Sequence, residues 1–148
     1  MTEFSATTPF RLVRRLAAVG QDAPSLYLLI CAAGERDAVL AEIAAEVEIQ
    51  LGLNLHQLAG SELQPENLEP LINRDASDLI VIALDRWLPS LVGSFDRNVV
   101  LLTAGGTAML LADADVVERI LTAAPNLRNR LTDILLITPD EILRGSPA

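Results

Sequence analysis

The stretch Asp78-Leu79-Ile80-Val81-Ile82-Ala83-Leu84 decides how this chain is read. An unbroken Val/Ile/Leu run of strand length is the pattern of a strand covered on both faces, as in a parallel sheet between two helical layers. Working outward, Leu26-Tyr-Leu-Leu-Ile-Cys-Ala32, Asn98-Val-Val-Leu-Leu-Thr103 and Asp133-Ile-Leu-Leu-Ile-Thr138 repeat the pattern. Leu53 to Ala59 supplies a shorter strand in which apolar and polar residues alternate.

Helical patterns fall between these runs. From Arg36 to Leu51, Val39, Ile43 and Val47 recur four apart, the acids lie mainly off that stripe, and Gly52 ends the helix. Asp85 to Phe95 reads as a helix interrupted near Pro89 and Gly93. Ala104-Gly105-Gly106 turns into a short helix over Thr107 to Leu111, and Asp115 to Ala123 makes another. Pro65 to Ile72 reads as a short irregular helix crossed by Pro70. At the front, Pro9 opens a helix over residues 9–20 that Gly20 stops, and Met1 to Thr8 is expected to be frayed. Strands alternating with helices give an α/β fold. The expected architecture is a three-layer α/β/α sandwich on a mainly parallel five-stranded sheet, with residues 1–148 forming a single domain.

Composition narrows the chemistry. The 148 residues carry 11 basic and 20 acidic side chains, a net charge of −9. All of the basic residues are arginine, so Schiff-base catalysis, a lysine general base and the phosphate-gripping lysine of a P-loop are excluded. The acidic excess argues against nucleic acid, which demands clustered cations. No apolar run approaches the roughly 20 residues that span a bilayer, so no membrane association is expected. A single cysteine, Cys31, points to a reducing cytoplasm, and with a single histidine, His56, no metal site is expected.

In an open parallel sheet, ligands bind beyond the carboxyl ends of the strands. Four turns come under that rule: Ala33 to Arg36, Asp85 to Trp87, Thr103 to Thr107, and the segment after Thr138. The first has one glycine and two carboxylates, Glu35 and Asp37. These would repel a phosphate but suit a helix start as caps. Asp85 closes an apolar strand in the outline of a Walker-B segment, and its structural reading is the N-cap of the next helix. Gly105, Gly106 and Thr107 are candidate ligand-binding residues, because adjacent glycines expose amides that can hold an anion. Arg128 joins them as a cation. Trp87, Arg128 and Arg130 are candidate partner contacts, with pairing of the two arginines to Asp133 as the structural alternative. Cys31 reads as a small buried hydrophobe. Ser94 lacks the glycines of a nucleophile elbow, and no catalytic residue is assigned.

From Leu26 onward, the order of elements resembles the nucleoside-triphosphatase domain of AAA-type and STAND-type proteins. Leu26–Ala32 stands in the place of the Walker-A strand, Leu79–Asp85 in that of the Walker-B strand, and Val99–Thr103 in that of the sensor strand. The run Ala-Pro-Asn-Leu-Arg-Asn-Arg-Leu131 followed by Ile134-Leu-Leu-Ile137 resembles the end of such a domain. There is no Gly-x4-Gly-Lys-Ser/Thr. The resemblance therefore implies a degenerate P-loop-like domain that does not hydrolyse nucleotide and keeps protein contact as its role. Arg128 and Arg130 resemble the arginine near the final strand that reaches a neighbour's nucleotide.

The leading expectation is a non-catalytic interaction or regulatory module without cofactor, whose partners are other proteins or a second copy of itself. Two alternatives stand beside it. One is a nucleotide- or phosphate-sensing domain using Ala104 to Thr107 and Arg128. The other is a receiver-like phosphoacceptor domain with Asp85 as acceptor and Glu35 and Asp37 as its acidic pair.

Overall fold

The structure, a computed structural model, describes residues 4–19, 25–68, 79–104 and 106–140. Among the described residues, six strands form one sheet: β1 (Ser5–Thr7), β2 (Leu26–Ile30), β3 (Leu55–Ala59), β4 (Leu79–Leu84), β5 (Ala108–Ala112) and β6 (Asp133–Ile137). Their spatial order is β1-β6-β2-β5-β4-β3, and every pairing is parallel. Among the described residues, six helices accompany them: α1 (Pro9–Val19), α2 (Arg36–Glu46), α3 (Pro89–Arg97), α4 (Val99–Leu102), α5 (Ala114–Ala123) and α6 (Pro125–Arg130). A π-helical turn, Val47–Leu51, extends α2 and ends at Gly52, whose φ of 66° is left-handed.

The period of two along each strand divides the core between the two faces of the sheet. Tyr27, Leu29, Val81, Met109 and Leu111 meet α1 and α2 through Leu12, Leu16, Val39, Ile43 and Val47. Leu28, Ile30, Ile80, Ile82 and Leu110 meet α3 to α6 through Val92, Phe95, Val117, Ile120 and Leu127. The three-layer α/β/α expectation holds, with six strands in place of five.

The extra strand comes from the segment expected to be frayed. Ser5–Thr7 pairs with Leu135–Ile137 at the sheet edge, and the Thr138 amide donates to the Thr7 carbonyl at 3.2 Å. A second correction concerns the centre of the sheet. Asn98–Thr103, expected as a strand, contains helix α4, whereas Thr107–Leu111, expected as a helix, lies largely in strand β5. Both runs are short and mostly apolar, and periodicity cannot separate helix from strand at that length. Burial separates them. Every residue of β5 is covered, because it sits between β2 and β4, while Val100 in α4 is 59% exposed.

The strand order also overturns the receiver-like alternative. A receiver sheet places its first two strands side by side in a 2-1-3-4-5 order. Here β2 has β5 and β6 as neighbours, and β3 pairs with β4 at the far side. Of the irregular helix expected over residues 65–72, only 65–68 are described. There Gln64 and Asn67 form an isolated bridge, and the rest lies outside the described residues.

Candidate functional site

The carboxyl ends of β2, β5 and β4 are the place where an open α/β sheet presents its loops. The chain leaves β2 at Ile30. Only Cys31 and Ala32 precede a 3-10 turn, Ala33–Glu35, which runs directly into α2 at Arg36. The Cys31 amide still donates to the Ala112 carbonyl of β5 at 2.8 Å, so the ladder continues to the brink of the turn. Gly34 has an ordinary φ and open space where a Cβ would stand, so nothing in this turn requires glycine. Glu35 is the N-cap residue of α2 without a side-chain cap bond. The capping expectation is thus corrected: Glu35 and Asp37 stand at the helix start as charges beside its dipole.

Cys31 is buried, as expected of a small hydrophobe. Burial, with the neighbouring Glu35 carboxylate adding and Arg36 opposing, pushes its thiol up to about 11. Such a thiol is a poor nucleophile at neutral pH. Asp85 is exposed at the carboxyl end of β4, but α3 begins at Pro89 with Leu88 in the N-cap position. The expectation that Asp85 caps the next helix is therefore wrong. Asp113, at the corresponding end of β5, does cap its helix, its Oδ1 accepting from the Val116 amide at 3.0 Å. Sequence reading missed this cap because it placed a helix where β5 stands.

The exchange of helix and strand also moves the proposed anion site. Gly106 and Thr107 precede β5, so they lie at the amino end of the sheet, opposite the ligand-binding edge. Gly106, with φ of 128°, needs to be glycine for backbone reasons alone. Thr107 is buried, and its Oγ1 accepts from the Ser25 amide at 3.2 Å. Gly105 lies outside the described residues.

The three candidate partner contacts line three different grooves. Arg128 donates to the Leu121 carbonyl near the end of α5 at 3.1 Å and lines a groove of about 370 Å³ with Phe4, Ser5 and Thr132. Arg130 lines another of about 400 Å³ with Asp96, Val99 and Asn126. Neither arginine forms an ion pair with Asp133, which bonds Arg15 at 3.0 Å. Trp87, partly buried, packs against the core and also lines a groove beside α5. That groove, of about 400 Å³, is shared with Asp115, Glu118, Arg119, Thr122 and Ala123.

Among the described residues, no group of three or more His, Cys, Asp or Glu could hold a metal ion. None of the described helices is long and apolar enough to cross a membrane.

No family model matches this sequence, and no curated protein matches it either. Solved structures do resemble the fold. A variant of RuvB from Thermotoga maritima has a TM-score of 0.49 and 17% identity, over 84% of this chain and 41% of its own. The ORC1 protein of Aeropyrum pernix, solved in complex with DNA, has a TM-score of 0.50 and 14% identity, over 88% of this chain and 44% of its own. The chain thus spans less than half the length of either protein. At this identity the likeness to the ORC1 protein is one of fold alone. A fold of this kind hosts many functions, so activity has to be argued from the site.

Proposed function

We propose that this chain is a non-catalytic protein-interaction or regulatory module of the cytoplasm, built on a P-loop-NTPase-like fold that no longer binds nucleotide phosphates. The observation that carries this reading is the connection from β2 to α2. A phosphate cradle needs a run of backbone amides curled around the anion and a cation to meet it. Here Cys31 and Ala32 lead straight into a 3-10 turn, and Glu35 and Asp37 stand at the mouth of the helix. Two carboxylates at that point oppose a triphosphate electrostatically. The chain also contains no lysine to offset them. Partner contact through exposed grooves is the role this reading leaves.

Thermal unfolding with ATP or GTP and Mg²⁺ at millimolar levels tests it. A ligand present at a hundred times its Kd adds about 2.7 kcal/mol of stability, an easily measured rise in Tm. No rise is expected with either nucleotide. A rise in Tm that grows with the concentration of either nucleotide would overturn the reading.

A further inference from the structure

The groove between Trp87 and α5 carries a more specific reading, which rests on the interaction role just proposed. Along α5, Asp115, Glu118, Arg119 and Thr122 recur at the three- and four-residue spacing of one helix face, and this face meets the indole across the groove. Most of its polar groups are already engaged. Arg119 Nε lies 3.4 Å from Asp115 Oδ2, and the Thr122 hydroxyl donates to the Glu118 carbonyl at 3.0 Å. The exceptions are the Glu118 carboxylate and the Trp87 indole N–H, which have no partner among the described residues. One wall of the groove is therefore an aromatic ring held by the core. The other offers an uncommitted anion and a paired Asp–Arg couple.

We propose that this groove docks an arginine side chain of a partner protein. The guanidinium would lie against the Trp87 ring while Glu118 accepts its N–H groups. Three arguments favour this occupant. A cation beside an indole gains from the ring quadrupole. A planar guanidinium can stack and bond a carboxylate at once, which an ammonium does less well. The net charge of −9 also draws cationic segments in from solution. An acidic or purely apolar partner would leave Glu118 repelled or buried without a counter-charge.

The test uses the full chain, in which Trp87 is the single tryptophan, so its emission reports on the groove directly. A blocked tetra-arginine peptide is titrated at low salt, with tetra-lysine and tetra-glutamate peptides as comparisons. Tetra-arginine is expected to change the emission saturably, tetra-lysine to bind more weakly, and tetra-glutamate not to bind. Glu118→Gln is expected to weaken tetra-arginine binding by about tenfold or more, the effect of losing one charge-assisted hydrogen bond. Glu48→Gln removes the same charge from an exposed position on the π-helical turn and is expected to leave binding within about twofold, as a screened surface charge should. Equal weakening by both substitutions would overturn the groove in favour of bulk charge. So would absence of a saturable change, or an emission change that follows protein concentration, which would make the occupant a second copy. Failure here leaves nucleotide-induced stabilisation unmoved, whereas a rise in Tm with ATP would strike the broader reading alone.

Discussion

The Asp140 carboxylate accepts a hydrogen bond from the Phe10 amide at 3.3 Å, across 130 positions of sequence. Phe10 belongs to the first turn of α1, whose opening amides have no partner within the helix. Asp140 therefore serves as a cap delivered from beyond β6. Its own amide donates to Glu42 Oε1 on α2 at 2.8 Å, so the same short segment ties both helices of one layer together. Asp140→Ala is expected to cost about 1 kcal/mol in urea unfolding, the usual loss for a cap, and Asp140→Asn to recover most of it. An alanine variant as stable as the parent would mean that the cap contributes nothing.

Two neighbouring apolar runs exchange roles relative to their sequence reading, and paired substitutions distinguish them. Leu110 is fully buried in a strand flanked on both sides, so Leu110→Ala is expected to destabilise by about 2–5 kcal/mol. Val100 is mostly exposed on a helix, so Val100→Ala is expected to stay within about 0.5 kcal/mol. The reverse pattern would restore residues 98–103 to the sheet.

Two glycines at the carboxyl edge make opposite predictions. A Cβ at Gly60 would collide with the Leu84 side chain and come within 3.3 Å of the Ala83 carbonyl oxygen. Gly60→Ala is expected to cost about 1–3 kcal/mol, because Leu84 is buried and has little room to yield. At Gly34 a Cβ meets nothing, and Gly34→Ala is expected to be neutral or to stabilise by about 0.4–1 kcal/mol. Guanidinium melts of both variants provide the check. A large loss at Gly34 would show that its turn has a backbone demand after all.

The Cys31 thiol, pushed up to about 11 by burial, stays protonated in the folded state while the unfolded chain ionises near the ordinary value of 9.0. The folded state then holds the extra proton. Stability from this group is complete below the unfolded value and falls as pH climbs from there toward the folded one. Alkylation by iodoacetamide at pH 8 is expected to be slow in native protein and to accelerate upon unfolding, as mass spectrometry would show. Labelling at equal rates in both states would contradict the burial of this thiol.

The acids between Arg36 and Leu51, which lie mainly off the apolar stripe, are partly used internally. Glu42 accepts from Asp140, and Glu46 Oε1 accepts from Gln50 Nε2 at 2.9 Å, which leaves Glu48 exposed. Sequence periodicity showed that these acids avoid the core, but it could not show which had partners. Trp87 read from the sequence as a partner contact, and the structure packs it against the core while it lines a groove. Its companions on α5 were not legible, because nothing in the order of residues brings position 87 to positions 115–122.

Sequence alone determined the layered α/β class, the strands at Leu26 and Leu79, the amphipathic helices and the lack of any lysine chemistry. Each of these follows from local pattern or from side-chain inventory. Only tertiary structure decided which of two adjacent apolar runs enters the sheet, where Ser5–Thr7 docks, and which end of the sheet Gly106 and Thr107 occupy. A four- or five-residue apolar segment satisfies helix and strand equally well. Its conformation is settled by the neighbouring strands that complete its backbone hydrogen bonds.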